Sequence, residues 1–306
     1  MIWVSVFRVF RVPYDTRVVE GKIAEFGQVR AVFTNVNMPY FNLATGFNPT
    51  PEGGVEPKAK LVGWEATDRG VLLLLMTPLK ADGDLDPEVA ARYRIDSARA
   101  VIVAVMGLNA AFEQVCELSV EGRDASRAGI GRRSPAMENP SFYEAPDLED
   151  DSAFELIHSI LEGIESLDAP TQNRVRLALR WYQRALGDRR AFKVGGGDVD
   201  GLINYWIALE TLVRVGEQGV TGALIGALSE IHDLSRQEIG QTFPISKVYQ
   251  RRKKIVHQGE LMLGMSIELQ QFLTDVFVDI LVLRIMRLPG TPRTQKYLDG
   301  RANGYL

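Results

Sequence analysis

The side chains best suited to chemistry in this sequence are one histidine and a neighbouring group of cations. His257 follows a segment in which lysine and arginine occupy five of eight positions, and no acid stands between Glu238 and Glu260. The basic residues are Lys247, Arg251, Arg252, Lys253 and Lys254. Histidine transfers protons near neutral pH, and arginine binds oxyanions through paired hydrogen bonds. The segment therefore indicates proton transfer on an anionic ligand.

Few other side chains offer metal or nucleophile chemistry. The chain has three histidines and one cysteine in 306 residues, which excludes an internal disulfide and makes a structural zinc site unexpected. His158 and His232 have no partner motif and are interpreted as surface or helix-cap residues. Cys116 is interpreted as a core residue at the end of an apolar helix. We predict no bound metal and no cofactor.

The net charge of −4 conceals an uneven distribution. Residues 1–150 carry 16 Lys and Arg against 21 Asp and Glu, whereas residues 151–306 carry 19 against 18. This balance argues against a protein whose whole surface binds nucleic acid. No apolar run approaches the ~18–20 residues of a membrane-spanning helix, and the N-terminus lacks a signal-peptide pattern. We expect a cytoplasmic protein without a membrane partner.

Two patterns divide the chain into an α+β part and a helical part. Strands are predicted at 2–12, 29–36, 59–66 and 70–77, where short β-branched stretches alternate with turn residues. A long helix is predicted from Asp86, an N-cap followed by proline, to about Cys116. We predict an antiparallel sheet with a packed helix in a domain of unknown role at 1–121, then a linker or surface loop at 122–150.

The remaining chain has helical periodicity. Helices are predicted at 154–164, 170–186, 198–213, 221–232, 246–257 and 266–286. Six helices of this length form an antiparallel bundle, here at 151–290, with residues 291–306 as a C-terminal tail.

Two charged residues lie on apolar faces of these helices. At about 100° per residue, Glu210 falls in the middle of the apolar stripe of the 198–213 helix. Arg252 falls at the centre of the apolar face that Val248 and Ile255 define. A buried Glu210–Arg252 ion pair would explain both positions. In the alternative, Arg252 lays only its stem on the core and keeps its charged head in solvent.

His257 does not share a narrow helix face with Arg252. The two residues are separated by about 140° on an ideal helix. Contact with a common substrate would need the reach of the arginine side chain, a helix distorted near its end at Gly259, or a second copy across a two-fold axis. The spacing leaves all three open.

The segment 248–259 resembles the signature of HEPN domains, compact helical bundles found in prokaryotic toxins, phage-defence proteins and CRISPR effector nucleases. Their pattern is an arginine followed, after four to six residues, by a histidine, here Arg252 or Arg251 followed by His257. Residues 204–212, Asn-Tyr-Trp-Ile-Ala-Leu-Glu-Thr-Leu, resemble the ALExL helix of the ApeA-like branch, and residues 176–185 resemble the helix before it. The resemblance covers roughly residues 150–290.

This resemblance implies a metal-independent endoribonuclease that acts in phage defence or as a toxin. Arg252 and His257 would be the catalytic pair, in a cleft between two copies of the helical domain. RNA would be the substrate, and attack by its 2′-hydroxyl would leave a 2′,3′-cyclic phosphate.

Further roles follow for the neighbouring residues. Glu210 would orient the arginine, with Arg251 and Lys253 in support, and Lys247 and Lys254 would bind the RNA backbone. The N-terminal domain would sense, restrain or recruit through a regulatory partner or ligand. The alternative is a catalytically inactive HEPN dimer that binds RNA or nucleotide, or serves as a scaffold.

Overall fold

The computed structural model describes residues 2–9, 22–26, 28–35, 47–49, 55–57, 71–106, 112–120, 151–187, 198–213, 219–259 and 266–298. The chain divides into two compact units, Met1–His158 and Ser159–Leu306. The predicted linker at 122–150 and the predicted strand at 59–66 lie outside the described residues.

The first unit is built on an antiparallel sheet. Its strands are β1 (Ile2–Val9), β2 (Lys22–Phe26), β3 (Val29–Asn35), β6 (Val71–Pro78) and β7 (Phe112–Val120), in the order β2-β3-β6-β1-β7. A separate antiparallel pair consists of β4 (Phe47–Pro49) and β5 (Val55–Pro57). The strongly apolar β6 lies in the middle of the larger sheet, between β1 and β3, as expected of a strand without a polar face.

One long helix, α1 (Pro87–Met106), packs against β1, β3 and β6. It begins as predicted, because Asp86 Oδ1 accepts the backbone N–H of Glu88 at 2.9 Å and proline occupies the first helical position. Arg94 donates to the carbonyl oxygen of Pro78 at 3.1 Å and so ties the end of β6 to the helix. The α+β interpretation of the first part of the chain is therefore confirmed.

The predicted extension of this helix to Cys116 is wrong. The helix ends at Met106, just before Gly107, and Cys116 lies in β7, paired with Val6 of β1. The register shifts next to this pair, since the following residue of β1 pairs with Gln114 and one residue of β7 is left over. Such a bulge changes the phase of a strand's two-residue alternation, so the pattern does not read as a simple strand.

The second unit is helical, and all six predicted helices are present. They are α2 (Asp151–Ser166), α3 (Ala169–Gly187), α4 (Asp198–Val213), α5 (Gly219–His232), α7 (Ile245–Gln258) and α8 (Ile267–Asp279), and α8 continues as a π-helical stretch, Ile280–Ile285. The boundary between the two units falls inside α2, between His158 and Ser159, rather than before it. The helical bundle of the second part is confirmed.

A seventh helix, α6 (Arg236–Thr242), was not predicted from the sequence. It begins with a capping box, in which Ser235 Oγ accepts the N–H of Glu238 at 3.2 Å and Glu238 Oε2 accepts the N–H of Ser235 at 2.8 Å. The pattern Ser-x-x-Glu was the available sequence signal. Because the helix is only two turns long, it shows too little periodicity to be found from its apolar residues.

Helix α4 lies at the centre of the bundle and packs against α3, α5, α7 and α8. Its Tyr205 meets Tyr182 of α3 edge to face, with ring centroids 5.7 Å apart, and Tyr182 stacks on Phe277 of α8 at 4.5 Å. Both tyrosine hydroxyls reach Thr274 Oγ1, at 3.4 Å from Tyr182 and 3.2 Å from Tyr205. The buried hydroxyl groups of this core are thus paired with one another.

The segment predicted as a tail is partly folded onto the bundle. Residues Arg293–Tyr297 form a 3₁₀ turn that packs on α8, and Thr294 and Tyr297 are buried. The structural domain therefore continues beyond 290. Among the helices of the described residues, none combines the length and apolar character needed to cross a membrane.

Candidate functional site

Helix α7 carries the predicted catalytic pair and is regular throughout. It runs from Ile245 to Gln258, and Gly259 ends it with a left-handed backbone, φ 65°. The N–H of Gly259 caps the carbonyl oxygens of Ile255 and Lys254. Glycine suits this position because a side chain disfavours positive φ. A helix distorted near its end, one of the three routes that could bring Arg252 and His257 together, is therefore not what the structure shows.

The inner face of α7 packs against α4 and α5. Ile245, Val248 and Ile255 are buried on this face. The ring of Tyr249 lies 5.5 Å from the ring of Trp206 of α4, which is itself buried. These contacts fix which side of α7 points into the bundle.

Arg252 lies on the inner side of α7, as predicted. Its side chain is half-buried, and Nε is buried without a hydrogen-bond partner. A buried N–H that forms no hydrogen bond costs about 1–3 kcal/mol, so this position of Arg252 lowers the free energy of unfolding. The stem lies on the core while the residue keeps part of its surface in solvent. This fits the alternative to the buried ion pair, in which only the stem of Arg252 lies on the core.

The predicted Glu210–Arg252 ion pair is not formed within the described part of the chain. Glu210 is half-buried rather than buried. On a helical wheel at about 100° per residue, the buried residues of α4 lie between the directions of Ala208 and Trp206. The middle of this buried face lies about 120° from Glu210. The sequence placed the face too close to Glu210, because α4 is covered on several sides and its buried face is wide.

His257 lies on the outer side of α7. It is exposed, and the regular helix places it about 165° from the middle of the buried face. Val256 beside it is also 45% exposed. Within one copy, Arg252 and His257 therefore point in different directions, and the arginine's reach or a second copy remains as the route to a shared ligand.

The other basic residues of α7 form its solvent-facing side. Lys247, Arg251 and Lys254 follow one another at intervals of four and three residues, which aligns them along one side of the helix. Lys247 and Lys254 are exposed and Arg251 is half-buried, and Lys253 is exposed next to the His257 side. The arrangement can attract a polyanion along the helix.

Two buried carboxylates on α8 were missed by the sequence reasoning. Asp275 and Asp279 are one helical turn apart, and each is no more than 2% exposed. The signal was available, because both acids stand inside a helix that was predicted as apolar. Burial raises the pKa of Asp279, although hydrogen bonds from Thr294 and Arg293 oppose the shift.

Both carboxylates hold the 3₁₀ turn at Arg293–Tyr297. Asp279 accepts the backbone N–H groups of Arg293 and Thr294, each at 2.8 Å, and the hydroxyl of Thr294 at 2.5 Å. Asp275 accepts the hydroxyl of Tyr297 at 2.6 Å and lies 2.8 Å from Lys296 Nζ. Asp279 thus caps the start of the turn from another element, and Asp275 binds its last two side chains.

His232, at the end of α5, joins this cluster. Its Nε2 lies 2.7 Å from Thr294 Oγ1 and its Nδ1 lies 3.3 Å from Gln295 Oε1. Because the Thr294 hydroxyl donates its hydrogen to Asp279, it accepts from His232, which places a hydrogen on Nε2. Burial lowers the pKa of His232, against an opposing hydrogen bond to Gln295 Oε1 and the charge of Asp279. The interpretation of His232 as an ordinary surface or cap residue is therefore wrong.

No group of three or more His, Cys, Asp or Glu residues suited to a metal ion occurs in the part of the chain that the structure describes. Comparison with known proteins gives no match: no family model fits the chain, and no curated protein or solved structure is similar to it.

Proposed function

We propose that the protein is a metal-independent endoribonuclease of the HEPN type, with Arg252 and His257 as its catalytic residues. The observation that carries the proposal is α7 itself. This helix has five basic residues and no acid. Its Arg252 is half-buried with an Nε that has no hydrogen-bond partner, and His257 is exposed near its end. These are the groups that phosphodiester cleavage needs.

The chemistry requires little from the protein, because RNA contains its own nucleophile. His257 removes the proton from a 2′-hydroxyl, the 2′ oxygen bonds to phosphorus, and the bond from phosphorus to the 5′ oxygen breaks. The guanidinium N–H groups of Arg252 donate to the phosphate oxygens as negative charge develops on them. Return of the proton to the 5′ oxygen leaves a 2′,3′-cyclic phosphate and a 5′-hydroxyl.

A homodimer through the helical unit supplies the missing geometry in this proposal. Arg252 and His257 face different sides of one α7, so a two-fold axis near the end of the helix would bring His257 of one copy to Arg252 of the other. The exposed Val256 offers apolar surface for such a contact. Arg251 and Lys253 flank Arg252 in sequence and support it, Lys247 and Lys254 bind the RNA backbone, and Glu210 on the adjacent α4 is the candidate to orient the arginine.

The decisive measurement is cleavage of end-labelled RNA by the full-length protein in EDTA. We expect His257→Ala and Arg252→Ala each to lower the rate by roughly 10²–10⁴-fold, the usual contribution of a proton-transfer or charge-stabilising group. Gln258→Ala is the matched control, since Gln258 is the exposed neighbour of His257 and makes no contact in the proposed chemistry. Equal rates in all four proteins would refute the assignment.

Arg252→Lys separates catalysis from folding. Lysine keeps the charge but lacks Nε, so the variant removes a buried donor that has no partner. We expect unchanged or higher unfolding free energy together with slower cleavage, because lysine cannot make the paired hydrogen bonds of a guanidinium. Loss of stability and activity in parallel would assign Arg252 a structural role instead.

The second candidate is a HEPN-like module that binds RNA or nucleotide, or serves as a scaffold, without cleaving. The side of α7 with Lys247, Arg251 and Lys254 favours it, since this side can bind phosphates without His257. RNA binding that weakens with salt, with no product in any condition, would select this function. In either case we assign the first unit a regulatory part, through a partner or ligand, in phage defence or toxin action.

A further inference from the structure

The turn Arg293–Tyr297, here called the clasp, is attached to α8 by the two buried carboxylates. Asp279 receives three hydrogen bonds from its first two residues, and Asp275 receives the Tyr297 hydroxyl and the Lys296 ammonium group. Release of the clasp would leave two carboxylates, each at most 2% exposed, without these partners. Asp279 would then be an unpaired buried carboxylate and Asp275 would keep only the Gln271 amide, at 2.9 Å, so a partly released clasp is unfavourable.

His232 connects the clasp to a different part of the bundle. One edge of its ring contacts Thr294 and Gln295 of the clasp, and its face stacks on Phe243 with centroids 5.5 Å apart and planes 30° apart. Phe243 is 1% exposed, and its N–H caps α6 by bonding to the carbonyl oxygen of Ile239. The imidazole of His232 thus contacts both Thr294 of the clasp and the buried ring of Phe243 at the end of α6.

Phe243 stands immediately before Pro244, whose carbonyl oxygen accepts the first backbone bond of α7, from Val248, at 3.0 Å. A parallel contact runs through Phe272 of α8, which lies 6.1 Å from Phe243 and 5.3 Å from Tyr297 between ring centroids. The residue that precedes the N-cap of α7 is therefore in ring contact with His232 and Phe272, and each of these contacts the clasp.

We propose that the clasp is a conformational device that fixes the start of α7, with His232 as the positioning residue that links them. Docking orders Thr294, Thr294 holds the imidazole, and the imidazole holds Phe243 at the α6–α7 junction. Release frees the imidazole and loosens the first turns of α7. Any effect on RNA cleavage rests on the proposed function, whereas the coupling itself does not.

Hydrogen exchange on the full-length protein tests the coupling with a matched pair of variants. Thr294→Val removes the hydroxyl that joins Asp279 to His232, and Tyr297→Phe removes a clasp hydroxyl that bonds Asp275 but does not touch His232. We expect both variants to speed exchange in the clasp, and Thr294→Val alone to speed exchange in the first turns of α7, by about tenfold. Exchange that rises equally in α7 and α8 in both variants would overturn the proposal, because it would report general loosening.

A double-mutant cycle then tests the role of His232. His232→Phe keeps a ring against Phe243 but removes the bond to Thr294. We expect it to reproduce the α7 effect of Thr294→Val, and the double variant to add nothing further, since both changes break one link. Additive effects on α7 exchange would show two independent contributions and reject His232 as the link.

RNA cleavage adds a readout that separates this inference from the proposed function. If the protein cleaves RNA, Thr294→Val is expected to lower kcat several-fold without changing KM, and Tyr297→Phe to leave both near wild type. If the wild type does not cleave, the proposed function fails while the exchange data still decide the coupling. Unchanged α7 exchange in Thr294→Val, with or without cleavage, would refute the clasp as a device.

Discussion

Asp279 and His232 are bridged by one hydroxyl, and burial shifts their pKa values in opposite directions. Burial favours the neutral form of each group, which raises the pKa of the acid and lowers that of the base. The Thr294 hydroxyl, with one hydrogen to donate and lone pairs to accept, can bond the Asp279 carboxylate and the Nε2–H of His232 together. A hydrogen on Nδ1 as well would let the ring donate to Gln295 Oε1, which is why that bond opposes the lowering of the pKa of His232.

The lowered pKa of His232 predicts a loss of stability in weak acid. A base whose pKa is lower in the folded state than in the unfolded state contributes fully above its unfolded value of about 6.5, and this contribution declines as pH falls toward the folded value. We expect the stability advantage of wild type over His232→Gln to shrink between pH 7 and pH 5. Urea unfolding of both proteins at several pH values measures it. The raised pKa of Asp279 acts with the opposite sign, so the comparison between the two proteins is more informative than either curve alone.

Single residues also show how far a helical wheel can predict burial. It placed Arg252 correctly, because α7 has a narrow buried face whose middle is near Val248. It misplaced Glu210, because α4 is covered by several helices and has apolar residues around most of its circumference, so the direction of its buried face was poorly defined by the sequence. It gave no partner for the acids of α8, since the clasp that pairs with them comes from residues later in the chain.

At the level of elements, the end of α7 depends on a glycine that has room for a side chain but a backbone that disfavours one. A Cβ at Gly259 would meet nothing within 4 Å, yet the backbone there has φ 65°. We expect Gly259→Ala to lower the unfolding free energy by about 1 kcal/mol, purely through backbone strain. Gly240→Ala in α6 is the opposite control, because this Cβ would lie 3.8 Å from Ile225 Cδ1 in ordinary contact, and alanine favours a helix by about 0.5–1 kcal/mol. Thermal unfolding of both variants checks the signs, and two shifts of the same sign would contradict them.

Long elements with local end signals were predictable. The Asp86 cap and its proline began α1 where expected, and apolar periodicity found six helices of the second unit. Elements that depend on distant partners were not predictable. The bulged β7 is a strand because β1 lies beside it, and the clasp is a turn because Asp279 caps it. These partners lie far away in the sequence, so the local pattern of residues in β7 or the clasp does not reveal them.

For the whole molecule, the central expectation is a dimer with a composite site. Arg252→Ala and His257→Ala proteins are each expected to be inactive, and an equal mixture should regain about a quarter of wild-type activity. The reason is that half of the dimers combine both variants, and each of these has one intact Arg252–His257 pair. The measurement is RNA cleavage after subunit exchange, with dimerisation followed by sedimentation.

A mixture that stays inactive although exchange has occurred would place both residues of each site in one copy. The arginine would then have to reach around α7 toward His257. A monomer at micromolar concentration would remove the composite site altogether, and would leave the exposed Val256 without an explanation in this proposal.

The π-helical stretch at the end of α8 makes this region sensitive to chain length as well as to its buried side chains, such as Ile280 and Leu281. In Ile280–Ile285 the N–H of Met286 bonds to the carbonyl oxygen of Leu281, five residues back, so the helix accommodates one residue more than an α-helical turn would. Deletion of one residue here would remove this extra residue and shorten the chain that runs from Asp279 to Arg293, whose backbone N–H the carboxylate accepts. Insertions and deletions between 280 and 292 should therefore be far less tolerated than substitutions at the exposed positions of this segment.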